Sequence, residues 1–202
     1  FLLYMKKRYW AFLLGSWCLS VGMQAAKVDT LSVHSDAMNK EVQVITICPD
    51  KAMAGEKCPV LYLLHGYGGN AGTWLGIKPE LPQIADKEGI IFVCPDGKNS
   101  WYWDSPLNKE YRYETFVSKE LVNYIDKNFT TKVERGGRAI TGLSMGGHGS
   151  LWLSIRHKDV FGGGGSMSGG LDIRPFPNNW EMKKQLGEEA SNKQRMGRTY
   201  GN

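Results

Sequence analysis

Arg138-Ala139-Ile140-Thr141-Gly142-Leu143-Ser144-Met145-Gly146-Gly147 sets a short strand against the start of a helix, with Gly-x-Ser-x-Gly at the junction. Arg138–Thr141 reads as the strand, and Met145–His157, carrying Leu151, Trp152 and Ile155, reads as the helix. A strand that turns sharply into a helix at a serine is a nucleophile elbow. The turn holds Ser144 in strained backbone geometry at the sheet edge, and glycines at 142 and 146 let neighbouring chain pass without Cβ clashes. The helix that follows aims its N-terminal N–H groups and its dipole at a developing oxyanion. Gly-x-Ser-x-Gly alone is weak in a chain with 25 glycines among 202 residues; the strand before it and the helix after it make it specific.

A second motif supports the first. His65-Gly66-Tyr67-Gly68-Gly69 directly follows the apolar run Pro59-Val60-Leu61-Tyr62-Leu63-Leu64. Acyl transfer through a serine needs two backbone donors aimed at the carbonyl oxygen of the tetrahedral intermediate. One is the N–H of Met145, the residue after the nucleophile; the other comes from the His-Gly loop. The N–H of Tyr67 is the expected donor, with Gly68 as second choice. His65 is read as a hydrogen-bonder that holds this loop rather than as a base. His148 lies on a helix that turns away from the site and is not read as the base either.

Working outward, Val28–Val33 and Glu41–Ile47 alternate as half-buried strands do, and Ile90–Cys94 is continuously apolar like Pro59–Leu64. Leu81–Glu88 and Thr115–Asn128 read as helices, and Phe161–Met167 as the next strand. The alternation predicts an α/β fold with a largely parallel sheet. No apolar run reaches the roughly 18 residues of a membrane span, and no repeat or low-complexity tract is present. No Cys-x-x-Cys or His/Cys cluster suggests a metal, and no cofactor is implied.

The stretch from about Val42 to Gly170 resembles the esterase family of α/β-hydrolases. That family includes tributyrin esterases, S-formylglutathione hydrolases, feruloyl and acetyl-xylan esterases and the mycolyltransferases. The resemblance rests on Pro59–Gly66, Pro95-Asp96-Gly97 with Asn99-Ser100-Trp101-Tyr102, Ala139–Gly147, and Ser168-Gly169. It implies an α/β-hydrolase fold and a Ser–His–Asp triad acting on esters or thioesters, with Ser144 as nucleophile. In this fold the triad follows the order Ser, then Asp or Glu, then His. After Ser144 only His148 and His157 remain, and Asp172 stands earlier than the family's aspartate, so it is read as pocket or loop. The acid, the base and the last strands of the sheet are therefore expected beyond Asn202. The 202 residues themselves are expected to be nearly inactive, with Phe161–Met167 an unprotected edge weakened by Gly162–Gly165. Residues 192–202 show no helix or strand pattern.

The N-terminus reads as an address. Lys6-Lys7-Arg8, an apolar stretch from Tyr9 to Leu19 and the small residues Ala25-Ala26 describe a secretory signal peptide. Residues 1–4 precede the first plausible initiator, Met5, so 1–26 are read as upstream residues plus signal, and 27–202 as an incomplete hydrolase domain. Losing Lys6, Lys7 and Arg8 lowers the 25 basic residues to 22 against 20 acidic ones, so the formal charge of +5 is mostly signal. No Lys/Arg stripe of the nucleic-acid type remains. An exported protein meets an oxidising compartment, where Cys48 and Cys58 either form a bridge or stay free beside Cys94.

Trp101-Tyr102-Trp103-Asp104 follows the Ile90–Cys94 strand on the side where active sites form in open α/β sheets. Exposed there, these aromatics would stack on a sugar or an aromatic acyl group; the other reading is a lid or core patch. Arg174, Pro175, Phe176, Asn178, Asn179 and Trp180 would join the same lip. Export favours short-chain or polysaccharide-linked acyl esters (feruloyl or acetyl) over a glutathione thioester. The other readings are a non-catalytic carbohydrate-binding relative and an acyltransferase, in which the acyl-enzyme passes to an alcohol.

Overall fold

The alternating stretch 27–48 folds back on itself: β1 (Lys27–Ser35) and β2 (Lys40–Cys48) pair antiparallel from Lys27↔Cys48 to Ser35↔Lys40. Asn39 closes the turn with φ 48°, a conformation that asparagine tolerates better than most residues. This computed structural model describes residues 26–173, 175–176 and 179–186. Residues 1–25, Arg174, Asn178 and the tail 192–202 therefore lie outside the described residues.

Four more strands complete a sheet: β3 (Val60–Leu64), β4 (Ile91–Pro95), β5 (Arg138–Gly142) and β6 (Gly163–Gly164). The spatial order is β1-β2-β4-β3-β5-β6, with β2 antiparallel to β4 and β4, β3, β5 and β6 mutually parallel. The parallel core follows from the continuous apolar runs, which suit strands covered on both faces. Val60, Tyr62 and Leu64 of β3, with Ile91 and Val93 of β4, pack into one core. Their alternates Leu63, Phe92 and Cys94 pack into another. The period of two thus divides each strand between two helical layers.

The second core is covered by α2 (Thr73–Ile77) and α3 (Leu81–Glu88), which bury Trp74, Leu81 and Ala85. The first is covered by α5 (Val122–Asn128) and α6 (Met145–Arg156), through Ile125 and Leu153. Three short helices complete the set: α1 (Asp50–Met53), α4 (Tyr113–Thr115) and α7 (Met182–Leu186). From β3 the chain crosses to β4 on one side, and from β4 it crosses back to β5 on the other. The loops that leave β3, β4 and β5 therefore converge at the carboxyl end of β3, where ligands bind in open α/β sheets.

Two elements differ from expectation. The helix expected over Thr115–Asn128 is not uniform: a π-helical turn, Phe116–Leu121, joins α4 to α5. From that turn Glu120 accepts from the Ser35 hydroxyl at 2.6 Å and from the Ala37 N–H at 2.8 Å, which ties it to the β1–β2 hairpin. The strand expected over Phe161–Met167 shrinks to Gly163–Gly164, with one further bridge between Met167 and Leu143. A reason is visible at Gly164, where a Cβ would sit 2.7 Å from Cβ of Ser154 on α6. The glycines let α6 lie close to the strand, and they leave it few side chains to extend the pairing.

Cys48, Cys58 and Cys94 are buried free thiols, so the bridge between the first two is not formed. No helix among the described residues is long and apolar enough to cross a membrane.

Candidate active site

Ser144 stands between β5 and α6 with φ 54° and ψ −114°, a region that side-chain-bearing residues rarely occupy. It is exposed, while Met145 and Gly146 behind it are buried. The strain is fixed from several sides. The Ser144 N–H donates to Met167 O at 2.8 Å, the Leu143 N–H to Leu64 O at 3.2 Å, and the His148 N–H to Ser144 O at 2.9 Å. The two motif glycines are sterically required. A Cβ on Gly146 would lie 2.7 Å from His65 O, and one on Gly142 2.8 Å from the Gly146 Cα.

The loop after β3 abuts this elbow: a Cβ built on Gly66 would touch Ser144 Cβ at 3.6 Å. Among the described residues, the backbone N–H groups of Met145 and Tyr67 meet no hydrogen-bond acceptor. The Gly68 N–H does, donating to Asn99 Oδ1 at 2.8 Å.

His65 is 1% exposed and holds the loop from beneath. Its Nδ1–H donates to Gly66 O at 2.7 Å, while Nε2 accepts the Gly97 N–H at 2.8 Å. With Nε2 so occupied, Asp96 Oδ1 at 3.6 Å is an electrostatic neighbour and not a hydrogen-bond partner. Burial works against ionisation of Asp96. The Lys98 ammonium at 2.6 Å and the Lys98 N–H at 2.9 Å outweigh it and hold the carboxyl well below the usual range.

The other histidines are placed elsewhere. His148 is buried: Nδ1–H donates to Gly170 O at 2.8 Å and Nε2 accepts from the Trp103 indole at 3.0 Å. Burial pushes its pKa down to about 4. His157 caps the far end of α6, about 20 Å from Ser144 at helical rise, with Nε2 2.9 Å from Glu114. His34 lies on β1 at the opposite edge of the sheet, beside Glu41. Among the described residues, the Ser144 hydroxyl has no hydrogen-bond partner.

Of the two readings of the aromatic segment after β4, an exposed lip or a core patch, its burial fits the core patch. Trp101, Tyr102 and Trp103 are 4%, 0% and 3% exposed. Trp101 and Tyr102 are both left-handed, with φ 57° and 60°, which drives their rings inward. Trp101 stacks on Trp103 at 5.6 Å, and the Tyr102 ring fills the space left by Gly97 and Gly149. Asp104 accepts the Thr115 N–H at 3.0 Å and its hydroxyl at 2.6 Å, so its carboxylate holds the helix that follows. The open aromatic surface lies one layer further out, on Tyr67, Phe176 and Trp180. Trp180 is held by the Trp101 indole, which donates to its carbonyl at 3.2 Å. Asn99 carried no assigned role in the sequence, although it stands in the Asn-Ser-Trp-Tyr motif.

A family model described as "Putative esterase" matches residues 35–200. An acetyl esterase of Caldicellulosiruptor saccharolyticus is 29% identical over 151 residues, covering 71% of this chain and 56% of that protein. A diacylglycerol acyltransferase/mycolyltransferase, Ag85A, of Mycobacterium leprae is 34% identical over 155 residues, covering 72% and 44% respectively. The chain thus spans about half the length of these curated relatives. Among solved structures, a ferulic acid esterase superposes with a TM-score of 0.68 at 29% identity, covering 85% of this chain and 70% of that one.

Proposed function

The chain belongs to this esterase family and has the α/β-hydrolase fold, and from that premise we propose that it is the nucleophile-bearing part of an exported serine ester hydrolase. Ser144 Oγ attacks the acyl carbonyl, and the oxyanion that forms takes the N–H groups of Met145 and Tyr67. Collapse of the intermediate expels the alcohol and leaves an acyl-serine, which water then cleaves. The observation that carries this reading is the exposed, strained Ser144 beside two backbone N–H groups with no acceptor among the described residues.

Activation of Ser144 needs a base, and none of the four histidines is arranged to serve it. All four histidines of the 202 residues are thereby excluded as the base, so these residues alone should turn over very slowly. Loss of a triad member costs up to about 10⁶-fold in turnover. The substrates are short-chain or polysaccharide-linked acyl esters, a reading supported by relatives named acetyl esterase and ferulic acid esterase. Residues 5–26 act as the export signal, residues 1–4 lie upstream of it, and the mature domain begins near Lys27.

A fluorophosphonate probe tests the chemistry directly. Labelling of the natural protein should be lost in Ser144→Ala, and peptide mapping should place the adduct on Ser144. Labelling elsewhere, or none, overturns the assignment and favours a non-catalytic binding protein. Acetyl and feruloyl esters compared side by side, with and without an acceptor alcohol, then distinguish acyl class and separate hydrolysis from transfer.

A further inference from the structure

We propose that Asn99 is a positioning residue for the reaction: its side-chain amide holds the Gly68 N–H and so restrains Tyr67 from its far side, while the donor N–H of Tyr67 sits in the preceding Gly66–Tyr67 peptide, held by His65 and Gly69. This rests on the reading of the Tyr67 N–H as an oxyanion donor. The loop that carries Tyr67 is anchored firmly at its start. The His65 ring bridges Gly66 O and the Gly97 N–H, the Tyr102 hydroxyl donates to His65 O at 3.2 Å, and the Gly69 N–H closes onto Gly66 O at 3.0 Å. The middle of the loop has no such packing. Tyr67 is exposed, and Gly68, at φ 75°, has nothing within 4 Å of where a Cβ would be. A glycine in that conformation lets the preceding peptide flip at little cost. A flip would turn the Tyr67 carbonyl toward the present place of the Gly68 N–H. The Asn99 Oδ1 contact, at 2.8 Å, opposes this, since it accepts a hydrogen bond that the flipped peptide cannot donate.

Asn99 is itself oriented by a distant segment. Its Nδ2 lies 3.4 Å from Glu181 Oε2. A carboxylate only accepts, so the amide must turn its NH2 toward Glu181 and its oxygen toward Gly68. Glu181 precedes α7, and that segment docks on the same loop through the Trp101 indole to Trp180 O and the Ser105 hydroxyl to Gln185 O at 2.5 Å. Asn99 therefore joins three separate stretches of chain at the oxyanion loop.

Two readouts in the natural protein test this. By amide exchange, Asn99→Ala should speed exchange of the Gly68 N–H about tenfold or more. Asn99→Asp keeps the acceptor but sets a second carboxylate against Glu181, so it should be intermediate, and N99D/E181Q should recover protection. In kinetics with a short-chain p-nitrophenyl ester, Asn99→Ala should lower kcat about tenfold or more with KM changed less than about threefold. That is less than the 10²–10³-fold effect of deleting an oxyanion donor outright. Unchanged exchange at Gly68 overturns the proposal, and so does faster exchange with unaltered kcat. If the unsubstituted protein has no Ser144-dependent turnover, the esterase reading falls and the catalytic part of this proposal with it. The exchange result still decides whether Asn99 holds the loop.

Discussion

Tyr102 donates its hydroxyl to the backbone oxygen of His65 at 3.2 Å, with its ring wholly buried between Gly97 and Gly149. One side chain thus braces the loops after β3 and β4 against α6. Tyr102→Phe should keep the packing and lose the hydrogen bond, at about 1 kcal/mol. Tyr102→Ala should cost about 3–5 kcal/mol, as deletion of a large buried ring does. Urea denaturation of the two variants would show this separation.

Substitution of two glycines should act in opposite directions. A Cβ at Gly146 would meet the backbone oxygens of Leu64 and His65, neither of which can yield. Gly146→Ala should therefore cost well over 3 kcal/mol, or prevent accumulation of folded protein. Gly76 sits in α2 with nothing within 4 Å of its Cβ position. Gly76→Ala should stabilise by about 0.5–1 kcal/mol, read as a raised urea midpoint.

His148 gives stability a pH dependence. Its folded pKa of about 4 lies below the 6.5 of an exposed imidazole, so the unfolded chain takes up the proton first. The stability it contributes is full above about pH 6.5 and is lost progressively as pH falls to about 4, by about 3 kcal/mol in all. Glu114 and Asp96, held below their usual carboxylate values, add losses only at lower pH. Urea midpoints at pH 7.0, 5.5 and 4.5 should fall in that order, and His148→Gln should flatten the slope between 7.0 and 5.5.

Glu114 gathers three donors from the end of α6: the Trp152 indole at 2.8 Å, Arg156 Nε at 2.8 Å and His157 Nε2 at 2.9 Å. Hydrogen bonds to a charged group contribute about 1.5–3 kcal/mol each when one is removed. Glu114→Ala should therefore destabilise by roughly 2 kcal/mol or more. Exchange should speed over residues 152–157 more than over 145–149, where the elbow holds the helix.

Local patterns made much of this legible from sequence. Continuous apolar runs marked β3 and β4, and the strand–serine–helix junction at 138–147 fixed the elbow within a residue at each side. What escaped depends on distant partners. Sequence leaves Trp101 and Trp103 between an exposed lip and a core patch, because nothing nearby in it shows His148 beneath them or Trp180 above. Asn99 stands in a motif of the family resemblance, but no role for it follows from sequence because Glu181 lies 82 positions away. The π-helical turn also went unread: Phe116 and Leu121 stand five apart, and one such step in so short a stretch passes for ordinary helical spacing.

The bond between the Ser144 N–H and Met167 O has a consequence in time. A strained residue of this kind costs about 1–3 kcal/mol and persists only while its surroundings impose it. Part of the restraint comes from a segment synthesised 23 residues later, so a nascent chain ending near α6 should hold Ser144 less firmly. The full set of restraints on Ser144 is in place when residues 163–167 settle beside β5. An electrophile that reacts at Ser144 therefore reports on the completion of folding as well as on the presence of the residue.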